Sequence, residues 1–293
     1  MKEDKLLPSE PTPRENTLEY EAIKVDISED GTATLTLNRP EALNAWNGTM
    51  SFEFENAIKA LDENDAVRVV VVTGAGRAFC AGADLSSGGD SFSKTDKDTG
   101  ETKRVTRGTS FEDAFWPYMM RKPVIAAVNG HGIGVGITLP MTCDVRYVAE
   151  DAKLQFAFTR RGLLPELGSH AIVPRVVGLS NAADLMLTGR IFSGREAAEL
   201  GLATKALPAA EVLPAALEHA REYLSAAPVS VAITKRLLWD SIAPGVLEMM
   251  QREAPLFSWT ADQPDSKEGV VSFMEKRAPE WSLQPSKDLP EKI

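Results

Sequence analysis

Two glycine-rich segments carry the groups in this chain best suited to chemistry. VRVVVVTGAGRAFCAGADL runs from Val67 to Leu85, and PVIAAVNGHGIGVGITLP runs from Pro123 to Pro140. Each is an apolar, strand-like run closed by a glycine turn, and the second leads into a helix. A backbone amide can approach a ligand closely only where the flanking side chains are minimal. Two such amides converging on one point make an oxyanion hole, which stabilises negative charge growing on a carbonyl oxygen. A helix N-terminus adds its dipole to that effect. Pro140 fixes where the helix starts, because proline lacks a donor and is tolerated only near a helix beginning. The helix holding Thr138 to Cys143 is therefore predicted to begin between Val135 and Thr138.

The other chemistry-bearing side chains are few. His131 and His170 lie near the two segments and read as structural or exposed histidines. Asp84, in AGAD, reads as a turn-stabilising acid, and Asp144 as a buried structural carboxylate. Glu166 follows Pro165 in GLLPELGS, where an acid suits the first turn of a helix. No Cys/His/Asp spacing suggests a metal site. Cys80 and Cys143 are the only cysteines, and their apolar contexts suit reduced core thiols of a cytosolic protein.

Around these residues the chain reads as an α/β protein. Of its 293 residues 43% are hydrophobic and 25% charged, with a net charge of −10 and no basic block. Nucleic acid and anionic membrane are poor partners for such a surface, whereas a small polyanion needs only a few local cations. No apolar run is long enough to span a membrane. Residues 1–17 read as a disordered, Pro-rich tail without the apolar core of a signal peptide. Tyr20 to Ile27 and Thr32 to Leu37 form a predicted hairpin across Glu29-Asp30-Gly31. A helix is expected over residues 50–63. Val67 to Val72 and Val124 to Val128 are continuous apolar runs of the kind buried on both faces. Residues 86–110 are polar and aperiodic, either a functional lid or a plain insertion, and a helix is expected from Phe111 to Met120. Arg146 to Val148 and Leu154 to Phe158 suit short strands. From Ser180 onward the pattern turns helical, with a capping box at Ser193 to Glu196. Helices are expected over Leu213 to Ala226, Ser230 to Ile242 and Ser266 to Arg277. The units are then the tail, a core over 18–207 and a helical region over 208–293.

The order LNRPEALNA (Leu37 to Ala45), VVVVTGAGRAFCAGADL, PVIAAVNGHGIGVG and TGRIFSGREAAELGLATKAL (Thr188 to Leu207) resembles the crotonase superfamily, the enoyl-CoA hydratase/isomerase fold, across roughly residues 20 to 280. The resemblance implies a spiral core of ββα turns, with C-terminal helices that mediate trimers or dimers of trimers, and a cytoplasmic enzyme. It implies an acyl-CoA thioester substrate, with coenzyme A as part of the substrate and no separate cofactor. On matching positions the two oxyanion donors are the amides of Ala81 and Val135, flanked by Gly82, Gly134 and Gly136. Ala81 to Leu85, including Gly82, Ala83 and Asp84, resembles the adenine and pantetheine contact. Arg77 matches a cation near the phosphates, and Lys276 with Arg277 resembles a further pair that contacts coenzyme A.

The chain departs from the hydratase pattern at two positions. The two glutamates that hold and activate water in hydratases of the family fall at Thr138 and Phe158. Threonine hydrogen-bonds water but is no general base at neutral pH, and phenylalanine does neither. Glu166 stands where 3-to-2 enoyl-CoA isomerases of the family carry a single glutamate in a matching Pro-Glu. One carboxylate can remove a proton from C2, wait while charge spreads into the thioester enolate, and return a proton to C4. Walls such as Phe158 and Val135 would desolvate that carboxyl and exclude water. The resemblance thus implies isomerisation through Glu166. The alternatives are a hydratase or another acyl-CoA hydrolase or lyase, and a non-catalytic acyl-CoA binder.

Overall fold

The computed structural model describes residues 20–86, 115–161, 165–242, 263–265, 268, 275, 277–278 and 280–290. The predicted tail, nearly all of the 86–110 segment and most of the Ser266 to Arg277 helix lie outside them. The hairpin forms as expected, with β1 (Ile23–Ile27) antiparallel to β2 (Thr32–Leu37). Helix α1 (Gly48–Glu63) follows, and its N-cap Asn47 accepts the Met50 amide at 2.9 Å. The side-chain oxygen thereby satisfies one of the donors a helix start leaves unpaired.

Next come β3 (Val69–Gly74) and β4 (Ala78–Cys80), then β5 (Val124–Val128), β6 (His131–Ile133) and helix α2 (Val135–Met141). Strands β7 (Val145–Ala149) and β8 (Lys153–Gln155) lead to helices α3 (Ser169–Val177) and α4 (Leu179–Thr188). Strand β9 (Ile191–Ser193), helix α5 (Gly194–Glu199), strand β10 (Lys205–Leu207) and helices α6 (Ala209–Leu224) and α7 (Pro228–Asp240) complete the order.

The strands fall into two sheets, β1-β2-β3-β5-β7-β10 and β4-β6-β8-β9. From β2 onward the first sheet is parallel. Three times the chain runs through a strand of the large sheet, turns, and enters a strand of the small one: β3 to β4, β5 to β6, β7 to β8. This repetition is the spiral of ββα turns. All six residues of β3 are buried, because β3 lies between β2 and β5 with packing on both faces. Helix α6 packs across β3, β5 and β7, so the first of the C-terminal helices covers the large sheet.

Several expectations need correction, among them a helical pattern alone from Ser180 onward, where strands β9 and β10 also form. The described part of the Phe111 to Met120 segment holds one 3-10 turn, Pro117–Met119, since Pro117 has no amide for a helix interior. The strand expected over Leu154 to Phe158 ends at Gln155. The capping box is half made: Ser193 Oγ accepts the Glu196 amide at 3.0 Å, but the Glu196 carboxylate turns to Arg190 at 2.5 Å.

Polar side chains tie the layers together, among them Asp144, which is half-buried and not buried as expected. Asp144 accepts the Val124 amide and the Trp239 Nε1–H, each at 2.7 Å, and pairs with Lys235 at 2.8 Å. Lys122, 3% exposed, donates from Nζ to the Leu61 carbonyl at 2.7 Å and to that of Asn64, closing the end of α1. Burial holds its ammonium down at about 8. Lys122→Met should remove both bonds and leave carbonyls unpaired, costing about 1–3 kcal/mol of stability in denaturant titration.

Candidate active site

The two glycine segments meet through main-chain contact. Strands β4 and β6 pair in parallel, Ala78 opposite His131 and Cys80 opposite Gly132. The first turn of α2 lies directly on the end of β4. A Cβ on Gly136 would stand 2.0 Å from the Cys80 carbonyl oxygen, and one on Gly82 would stand 3.0 Å from that of Ile133. Gly134 approaches the Gly82 Cα from the other side, and both glycines have positive φ, +56° and +100°. Val135, between Gly134 and Gly136, therefore lies against the turn that follows Cys80.

Two asparagines that pattern reading did not single out brace this arrangement. Asn44 is fully buried. Its Nδ2 donates to the carbonyls of Ala75 and Ala78 at 2.9 and 2.8 Å, and its Oδ1 accepts the Arg39 amide. Asn129 accepts the Gly74 amide at 3.1 Å and donates to the Gly76 carbonyl at 2.9 Å. The LNA and VNG tripeptides were the available signal.

The exposed amide on the first segment is not that of Ala81. The Ala81 N–H donates to the Leu43 carbonyl at 3.0 Å, so it is already engaged. Trp46 forms a parallel bridge with Ala83. Its N–H donates to the Gly82 carbonyl at 2.8 Å, and its carbonyl accepts the Asp84 amide at 2.9 Å. In that pattern one residue makes both bonds and the residue opposite turns its own N–H away. No described residue accepts the Ala83 amide. On the second segment Val135 is the first residue of α2, where a helix leaves its amides unpaired, and no described residue accepts its N–H. The pair of available donors is Ala83 and Val135.

Thr138 is fully buried, and its hydroxyl lies 3.4 Å from the Gly134 carbonyl within its own helix. Phe158 is buried, with its ring tip against Gly134. Glu166 stands just before α3, and α3 packs against α2. Burial alone pushes its carboxyl up to about 7, and no described residue pairs with that carboxyl. His170, expected to be structural or exposed, is exposed on α3.

The remaining candidates divide. Asp84 bonds Arg39 at 3.0 Å and the Ser86 amide at 3.1 Å, which shapes the turn and holds its carboxyl below the usual range. Arg77 and Leu85 are exposed beside the two turns. Arg277 is ion-paired with Glu268 and Glu275 at 2.5 and 2.7 Å, and Lys276 lies outside the described residues. His131 accepts the Lys153 amide at 3.0 Å, a structural bond. Burial pushes both thiols up to about 12, leaving them unreactive at neutral pH. Among the described residues no group of His, Cys, Asp and Glu is arranged to hold a metal, and no helix is long and apolar enough to cross a membrane.

Comparison with known proteins places the chain in a family. The family model for enoyl-CoA hydratase/isomerase matches residues 28–284. An enoyl-CoA hydratase of Alternaria alternata is 35% identical over 254 residues, 86% of this chain and 83% of its own. The 1,2-epoxyphenylacetyl-CoA isomerase of Escherichia coli is 32% identical over 259 residues, 87% of this chain and 96% of its own. The crystal structure of a probable enoyl-CoA hydratase/isomerase from Mycobacterium abscessus superposes with a TM-score of 0.80 at 37% identity, covering 89% of this chain and 98% of that one.

Proposed function

Because the chain belongs to the enoyl-CoA hydratase/isomerase family, and is an enzyme of that type, we propose that it moves the double bond of an enoyl-CoA thioester from position 3 to position 2. The amides of Ala83 and Val135 hold the thioester oxygen, and Glu166 is the acid/base. What supports this reading is a half-buried carboxyl without a described partner, in a chain whose Thr138 and Phe158 match the positions where the resemblance implies the two hydratase glutamates.

The ionised Glu166 takes a proton from C2, and the developing enolate oxygen is stabilised by the two amides, each worth roughly 3–4 kcal/mol of barrier. The protonated Glu166 then delivers a proton to C4, which regenerates the carboxylate and leaves the double bond conjugated with the carbonyl. Phe158 and Val135 keep water from the enolate. A hydratase reading draws on relatives that are named enoyl-CoA hydratases; it would use Glu166 with Thr138 to hold and activate water.

The test is to offer 3-enoyl-CoA and 2-enoyl-CoA in deuterated water. Isomerisation faster than hydration, with part of the C2 proton retained at C4, is the expected result. Hydration of 2-enoyl-CoA outrunning isomerisation would overturn the reading.

The pH profile follows from the state of Glu166. As a base it works ionised, and its carboxyl titrates near 7. Activity on kcat/KM should therefore rise about tenfold per pH unit below 7 and level off above it. An acid limb centred near 4.5, the ordinary value, would mean the working carboxyl is in water.

A further inference from the structure

The Glu166 carboxyl is raised by burial, yet it sits on a connection and not within a helix or strand, so something must fix the main chain beneath it. The turn from Glu166 to Ser169 has two successive residues in the left-handed region, Leu167 at φ +53° and Gly168 at φ +69°. A leucine there is unusual and strained, so it persists only where its surroundings hold it. Leu167 packs against the main core from one side. From the other, Ser169 makes two bonds to one acceptor: its amide donates to the Glu166 carbonyl at 3.0 Å, and its hydroxyl donates to the same oxygen. Ser169 is fully buried, and it opens α3, which rests on α2. These two hydrogen bonds to one carbonyl oxygen therefore connect the main chain of Glu166 to the helix layer that carries Val135 and Thr138.

We infer that Ser169 is a positioning residue for this enzyme, its hydroxyl clamping the Glu166 carbonyl so that the carboxyl stays out of water and in reach of both carbons. The inference rests on the reading of Glu166 as acid/base. Geometry of this kind matters because a displacement of about 1 Å can lower a rate roughly 100-fold. The neighbouring elements carry His170 and Arg175 on α3 and Asp184 on α4, while α2 carries no titratable side chain. None of these sets the Glu166 proton affinity, whose raised value comes from burial.

The test is Ser169→Ala, assayed for kcat, KM and the pH dependence of kcat/KM beside the parent enzyme and Glu166→Gln. With the hydroxyl gone, one amide bond remains and the left-handed turn can relax. The expected result is a fall in kcat of roughly tenfold with KM nearly unchanged. The acid limb should also move down toward the ordinary carboxylate range as water reaches Glu166. A profile with its acid limb unmoved, whether or not kcat falls, overturns the clamp. Should Ser169→Ala not fold, Gly168→Ala strains the same turn, since its new Cβ meets only Ile172 Cδ1 at an ordinary 3.6 Å while φ stays positive. That variant is expected to lower the acid limb too, and an unmoved limb counts against the proposal. Full turnover by Glu166→Gln would instead remove the reading of Glu166, which separates the two failures.

Discussion

Glu166→Gln is expected to lower isomerase turnover by about 10²–10⁴-fold while acyl-CoA binding stays within a few-fold of the parent. Glutamine keeps the shape and volume of the side chain, so the wall around it is undisturbed. It has no proton affinity at working pH, so neither abstraction at C2 nor delivery at C4 can pass through it. The Ala83 and Val135 amides belong to the main chain and are untouched, so the thioester oxygen would still be gripped. The substitution therefore separates binding from chemistry, and steady-state kinetics beside calorimetric binding of an unreactive acyl-CoA measures both. Turnover within threefold of the parent would remove Glu166 from the mechanism. A variant that also lost binding would point to a structural defect, which its melting temperature would reveal.

Gly136→Ala is expected to have the largest effect on folding. A Cβ at this position would lie 2.0 Å from the Cys80 carbonyl oxygen, far inside any van der Waals contact. That oxygen belongs to β4, whose three residues are all buried, so it has nowhere to go. Relief requires lifting the start of α2 from β4, and the loss should be about 3 kcal/mol or more. The same lift moves the Val135 amide away from the Ala83 turn, so any folded fraction should lose activity beyond its loss of stability. Gly48→Ala is the control. Nothing lies within 4 Å of its added Cβ, and it starts α1, so its denaturation midpoint should hold or rise slightly. Equal midpoints for the two variants would contradict the close approach.

Much of the core was legible in the sequence because the central strands of the large sheet are continuous apolar runs. Val124–Val128 is the strand that the apolar run predicted. Helix α2 begins at Val135, the earliest start in the range set from Pro140, and carries that proline in its interior and not in its first turn. The small sheet was legible only at β8, where a strand was expected. Ala78–Cys80, His131–Ile133 and Ile191–Ser193 are three residues each, too short for any period to register, so the first two were read as parts of turns. The site shows the same limit more sharply. Gly82, Gly134 and Val135 could be picked out because glycine needs and a helix start are local properties. Which amide of the Ala81 to Leu85 turn is free could not, because it depends on Trp46 pairing from another part of the chain. Ser169 was invisible for a related reason: its importance lies in a bond to a carbonyl, and any residue has one.

The bridge between Trp46 and Ala83 has a practical consequence for mapping this protein by mutagenesis. An alanine scan reports on side chains, and position 83 is alanine already, so the scan would pass over it in silence. Only an alteration to the polymer itself would register there, such as an ester linkage in place of the amide or an imino acid that has no hydrogen to give.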